Sequence, residues 1–169
     1  MPLNSSISIA ADASLTSALD LTTGTAPLSV RKASAFASGT GAGKADKVFS
    51  DRRTLAASGT EDLDLAGVLL DAFGAAVTFA RIKGIVISAA ASNTNNVVVG
   101  AASTNAWATM LNATGTVTLR PGASLGLAAG VADATCYAVT AGTGDLLKIA
   151  NSAAGTAVTY DIVIIGASA

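Results

Sequence analysis

The sequence predicts an all-β protein: an antiparallel β-sandwich or jelly-roll-like body with an N-terminal arm or hairpin. Three observations carry that prediction. Short runs of alternating apolar and polar residues recur along the chain, separated by Gly, Pro, Asn and Ser clusters. No series of helical-period segments alternates with them, which sets aside a βαβ architecture. Alanine, glycine, threonine and serine fill 90 of 169 positions, so burial must come from close backbone approach in packed sheets rather than from bulky side chains.

Taken in order, Ser6-Ile7-Ser8-Ile9 alternates cleanly, and Leu15 to Leu21 is expected to pair with it. Pro27 opens a second alternating run, Leu28 to Ala33. Ser38 to Gly43 holds three glycines and is expected to be a flexible hairpin tip. Lys47–Ser50 and Arg53–Ala56 resume the strands, and Glu61 to Gly67 alternates acid with leucine. Val68 to Phe73 carries the one helical spacing, with Gly74 as its cap. Ala76–Lys83 and Gly84–Ser88 give the longest strand signal, with Arg81 and Lys83 facing outward and an uneven step near Ile82 that predicts a bulge. Val97–Gly100, Val117–Leu119, Leu125–Leu127, Cys136–Val139, Leu146–Ile149 and Val158–Ile165 complete the strands. Ser103 to Gly115 reads as a long loop. Residues 1–54 hold six of the ten basic residues and the glycine tip, which predicts an arm or hairpin there and a sandwich body over 55–169.

Charge and hydropathy narrow the function classes. Formal net charge is -1, so no global field draws the chain to nucleic acid or an anionic membrane. Mean hydropathy is +0.57, yet no window reaches the ~18 consecutive apolar residues of a spanning helix. Met-Pro-Leu-Asn-Ser-Ser lacks the basic start and apolar run of a signal peptide. Charged residues make up 12 % of the chain, about half the usual share, which predicts a surface covered by neighbours.

The residues for chemistry are scarce. There is no histidine, Glu61 is the sole glutamate, and Cys136 is the sole cysteine, expected as a small buried hydrophobe in a strand. Glu61, Asp62, Asp64 and Asp71 lack the spacing of an EF-hand loop, so exposed acids alternating with buried leucines is the favoured reading. Asp145 and Asp161 are the remaining candidate acid pair, with Asp145 in a turn position that aspartate favours for backbone bonding. Gly39 to Lys44 ends in Gly-Lys, but its glycine spacing and the following Ala45 do not make a P-loop. The expectation is therefore a non-enzymatic protein with no cofactor, metal or small-molecule substrate.

Candidate contact residues lie in two places. The basic group Arg31, Lys32, Lys44, Lys47, Arg52 and Arg53, with Phe36 and Phe49 as its only aromatics, suits a solvated hairpin face or an ionic contact to a neighbouring subunit better than nucleic acid, since Asp46 and Asp51 interrupt it. Arg31, Lys32, Phe36, Lys44 and Lys47 are its candidate contact residues. Trp107 and Met110 sit in a segment, Gly84 to Leu119, without one charged residue. Trp107 is either a binding anchor or a side chain folded back over the core.

Leu63-Asp64-Leu65-Ala66-Gly67, Asp71-Ala72-Phe73-Gly74 and Phe79-Ala80-Arg81-Ile82-Lys83 resemble a pattern in small virion proteins of tailed bacteriophages. So do Leu119-Arg120-Pro121-Gly122, Gly142 to Lys148 and Val158 to Gly166, the likeness covering roughly residues 55 to 166. The resemblance implies a β-sandwich decoration or cement protein on the capsid surface. Its partners would be copies of itself, as a homotrimer or other homo-oligomer, and the major capsid protein. It carries over no catalytic residue. The alternative is a tail or host-recognition component, in which the Asn-rich loop and Trp107 would bind a glycan. A cell-wall hydrolase is a third class, disfavoured by the missing histidine.

Overall fold

The computed structural model describes residues 2–169, and among them there is no helix. The strands are β1 (Ser5–Ala18), β2 (Thr23–Ser38), β3 (Lys44–Ala45), β4 (Lys47–Leu55), β5 (Thr60–Asp64), β6 (Leu69–Leu70) and β7 (Ala76–Val77). They continue with β8 (Arg81–Ala89), β9 (Val97–Gly100), β10 (Thr116–Leu119), β11 (Ser124–Ala128), β12 (Tyr137–Ala138), β13 (Leu146–Asn151) and β14 (Val158–Ala167). Two antiparallel sheets form a sandwich. One runs β10-β9-β13-β5, and the other runs β11-β8-β14-β4 with β12 also paired to β8.

Alternation explains the core. On β8 and β14, Ile85, Ile87, Tyr160, Ile162 and Ile164 point inward and are at most 1 % exposed. They meet Leu63, Val97, Val99, Leu147 and Ile149 from the facing sheet in a single cluster. Each such aliphatic side chain stabilises the fold by about 1.5–3 kcal/mol relative to exposure, before the entropy of ordering it. The intervening residues of β14, namely Thr159, Asp161, Val163 and Ile165, form the outer face of the sheet. A polar tie joins the two sheets: the Tyr160 hydroxyl donates to Glu61 Oε1 at 2.7 Å and Arg53 Nη1 donates to Glu61 Oε2 at 2.6 Å.

Five local expectations are corrected by the structure. Leu15 to Leu21 does not return on Ser6–Ile9; β1 runs on to Ala18 and pairs with β2 over fourteen positions, from Ser5↔Phe36 to Ala18↔Thr23. The tip of that hairpin is Leu19 to Thr22, closed by the Leu19 amide donating to the Thr22 carbonyl at 2.8 Å. Gly39 to Gly43 instead lies at the root, linking β2 to β3, with Gly39 and Gly43 at positive φ (133° and 65°). β4, expected as part of the arm, pairs with β14 from Lys47↔Gly166 to Leu55↔Val158 and is a strand of the body.

Val68 to Phe73 is no helix. Leu69 and Leu70 pair with Val77 and Ala76, and Asp71 Oδ1 accepts the amides of Phe73 and Ala75, both at 2.9 Å. That Asx turn supplies by local side-chain bonding what a helix would have supplied from its backbone, and Gly74 (φ 80°) completes it.

Lys83 is not exposed: it is 0 % exposed, covered by the root of the arm, to whose Gly41 carbonyl it donates. Ile165 pairs with Gly84 and Gly166 with Ile82, so Lys83 is the extra residue of a bulge. The uneven step expected near Ile82 falls here.

Candidate interaction surface

The projecting hairpin of β1 and β2 is the feature that distinguishes this sandwich. Fourteen pairs at about 3.4 Å per residue make a ribbon roughly 45 Å long. From Ser8 to Ala33 every residue is exposed except Gly24, which is half-buried under the Leu19 side chain.

Register sorts its two faces. Cross-strand partners share a face, so Ile7, Ile9, Ala11, Ala13 and Leu15 lie with Ser34, Lys32, Val30, Leu28 and Ala26. The opposite face carries Ser8, Asp12, Ser14 and Thr16 with Thr25, Ser29 and Arg31, and the Ser29 hydroxyl donates to Asp12 Oδ1 at 2.6 Å. One side is thus apolar with Lys32 as its single charge, and the other is polar. Leu15 is 75 % exposed and Leu28 58 %, an unusual placement for large aliphatics in two-stranded structure.

The root of the apolar face is covered by the protein itself. Ile7 and Phe36 join Ala45 and Ile165 in a second small core, with Val48, Val86 and Ala128 packed beside it. Ile7 lies against Gly84, where a Cβ would come within 3.2 Å of its side chain, and Ile9 lies over Gly126. The arm therefore lies on the outer face of the five-stranded sheet, at its glycine positions. Lys83 secures this root from below: its Nζ donates to the Gly41 carbonyl at 2.6 Å.

The structure disperses the contact residues expected from sequence. Arg31 is on the polar face of the arm and Lys32 on the apolar face. Phe36 is buried at the root, Lys44 is exposed beside Gly39, and Lys47 is half-buried. Lys47 also lines a groove of about 590 Å³ with Pro2, Leu3, Val48, Phe73 and Val77, and Phe73 stands 81 % exposed there. Trp107 is 4 % exposed and its Nε1 donates to the Ala138 carbonyl at 2.9 Å, with Tyr137 edge-on at 6.5 Å between ring centroids. It is a core residue of the folded chain, and Met110 packs partly buried against the same core.

Three of the five asparagines of the uncharged segment, Asn93, Asn95 and Asn112, are likewise spent on structure. Asn93 both donates to the Thr159 carbonyl and accepts its amide, at 2.8 Å each. Asn95 donates to Asn151 Oδ1 at 3.0 Å, and Asn112 Oδ1 accepts the amides of Thr114 and Gly115. With Trp107 buried, its indole is not presented on the surface of this segment.

The candidate acids and the thiol are dispersed, and Asp145 keeps its buried Oδ1 without a hydrogen-bond partner. Asp161 pairs with Arg52 on the outer sheet face at 2.6 Å, and that guanidinium holds its carboxyl below the usual carboxylate range. Asp145 Oδ2 accepts the Gly142 amide in a turn beside the opposite sheet. Burial pushes the Cys136 thiol up, and its residue sits at φ 50° in a turn capped by Asp133, ahead of β12 rather than within a strand. Among the described residues no group of three or more acids or thiols is placed to hold a metal ion.

Sequence reasoning missed the exposed leucines of the arm. The signal was present in Leu15, Leu28 and Val30, which alternate with polar residues, but alternation alone does not say whether the apolar side is covered.

No family model, no curated protein and no solved structure matches this chain.

Proposed function

We propose that this chain is a non-enzymatic structural protein of a phage virion, which decorates and stabilises the capsid through contacts with copies of itself and with the major capsid protein. The observation that carries this reading is the arm, a ribbon with a polar face and an open apolar face. A two-stranded ribbon is marginal in water by itself, so a long one with uncovered leucines is built to be covered. A surface poor in charge and a body of tightly packed sheets favour the same use. The virion setting is taken from the resemblance of roughly residues 55 to 166 to small virion proteins of tailed bacteriophages. In that setting repetition over a closed shell multiplies individually weak contacts, and the role calls for no chemistry.

The experiment is the copy number of this chain in purified virions, by quantitative mass spectrometry against the major capsid protein. A ratio approaching that of the capsid protein supports a cement over the shell. A ratio far below it favours a tail component, and absence from the particle overturns the virion reading.

A further inference from the structure

We propose that the edge of β11, with the arm that overhangs it, is a strand-addition site. It takes an extended, uncharged strand of another polypeptide, paired with β11 and packed under the apolar face of the arm. The site goes beyond the assembly reading above and does not rest on the virion setting.

The arm crosses the five-stranded sheet by one strand for every two residues. Leu3 packs on the same small core as Val48 of β4, and Phe36, the partner of Ser5, packs with Ile165 of β14. Ile7 then lies on Gly84 of β8, and Ile9 on Gly126 of β11. Two residues advance about 6.8 Å, enough to cross a strand spacing of about 4.8 Å obliquely. The sheet ends at β11. Ala11, with Val30 beside it, therefore stands over the place of the next strand, and Ala13 with Leu28 over the place beyond.

The edge beneath is open. The Ala89 amide donates to the Ala123 carbonyl and the Ala129 amide to the Lys83 carbonyl, both at 2.9 Å. Odd-numbered residues of this stretch thus turn their main chain to β8, while Ser124, Gly126 and Ala128 turn theirs away. Among the described residues no hydrogen bond takes up those outward amides and carbonyls.

Such edges are normally guarded by charges, proline or a covering element. β4, the other edge of the same sheet, carries Asp51, Arg52 and Arg53, and β5 carries Glu61, Asp62 and Asp64. β11 reads Ser-Leu-Gly-Leu-Ala, with neither a charge nor a proline. β10 is also uncharged, but it edges the opposite sheet, away from the arm. An unguarded edge and an uncovered apolar roof therefore coincide at β11. The row of main-chain groups calls for a strand, and the roof calls for apolar side chains on the face which that strand turns to it. The occupant is an extended segment with apolar residues at alternate positions, recognised through its main chain more than its sequence.

The test uses the full chain labelled with nitrogen-15 and a capped peptide of Thr-Val repeats, flanked by glutamates for solubility. Without peptide, the amides of Ser124 and Gly126 should exchange at least about tenfold faster than those of Leu125 and Leu127. Peptide at about 2 mM should slow Ser124 and Gly126 about fivefold, the factor 1 + [L]/Kd for a Kd of about 0.5 mM. It should also shift the amides of Ala11 and Val30. Gly126→Pro, which removes an amide that β8 does not use, should abolish the slowing at Ser124 with little change in melting temperature. Ala11→Asp, on the roof, should abolish it too, while Ser14→Asp, on the polar face, should leave it as in the wild type. Exposed amides that the peptide leaves unchanged overturn the inference, as does slowing that Ala11→Asp retains. Ser124 and Gly126 already protected without peptide overturn it as well, and protection that disappears on dilution would assign the edge to a second copy. Slowing that both variants abolish, in a protein absent from virions, overturns only the virion setting.

Discussion

The Lys83 amine donates to the Gly41 carbonyl at 2.6 Å across 42 residues of chain, and the lysine that makes this bond is fully buried. It has no carboxylate within salt-bridge distance among the described residues. The bond joins the β8 bulge to the glycine loop that ends the arm, so the loop that composition marked as free is held from inside the body. Lys83→Ala should therefore destabilise the protein by about 2–4 kcal/mol in urea unfolding, from the lost stem packing and the unmet carbonyl together. Lys83→Met, which keeps the stem, should cost less. Limited proteolysis of both variants should begin at residues 39–43; wild-type stability in Lys83→Ala would show that the bond carries no load.

Trp107 packs on Tyr137 and donates to Ala138, and so belongs to folding. Trp107→Ala should cost about 3–5 kcal/mol in chemical denaturation. Trp107→Phe, which loses the indole donor but keeps an apolar ring, should cost about 0.5–1.5 kcal/mol for that bond, because the Ala138 carbonyl retains the Thr109 hydroxyl as a donor. A Trp107→Ala chain as stable as wild type would return the residue to the surface.

Burial pushes the Tyr160 phenol well above its ordinary value, and its hydrogen bond to the Glu61 carboxylate raises it further. The unfolded chain releases this proton near pH 10, while the folded chain keeps it. Unfolding thus gains a proton release as pH rises, and stability contributed by Tyr160 is complete below about pH 10 and falls above it by about 1.4 kcal/mol per pH unit. Tyr160→Phe should lose that slope, at a cost of about 1–2 kcal/mol at neutral pH because Glu61 loses a donor. Denaturation curves for both chains between roughly pH 8 and pH 11 check it; equal slopes would mean that Tyr160 ionises in the folded state as readily as in the unfolded one.

The arm divides into a structural root and an open reach. Replacing residues 10–31 by an Asn-Gly turn between Ile9 and Lys32, which are cross-strand partners, should leave the melting temperature of the body within a few degrees. Deleting Ser5 to Asp46 should lower it strongly, because Ile7, Phe36 and Ala45 leave Ile165 uncovered. Thermal melts of the two deletions separate the parts. Equal losses would make the whole arm part of the folding unit.

The all-β class, the bulge near Ile82, and strands such as Val97–Gly100 and Val158–Ile165 were legible because two-residue alternation is a property of the chain itself. The candidate contact residues were less so. Trp107 and Phe36 are rare large side chains, and rarity marks importance without saying whether the neighbour is the same chain or another. Lys83 was expected in solvent because alternation places it on the outer side of β8, and alternation does not say that the arm root covers that side.

The chain by itself determines that its residues form strands and turns, whereas the core that the structure builds also draws on large side chains such as Phe79, Trp107 and Tyr160. It also determines that Ile7, Ile9 and Leu15, and separately Leu28 and Val30, alternate with small or polar residues, while the register of β1 with β2 puts them on one side. Tertiary structure alone decides which apolar faces are covered. Strand periodicity is set by local backbone geometry, while coverage depends on contacts between residues far apart in sequence, such as Ile7 with Gly84. That is why Leu15 and Leu28 stand open on the arm while Ile85 and Ile162, on strands of the same kind, lie at the centre of the body.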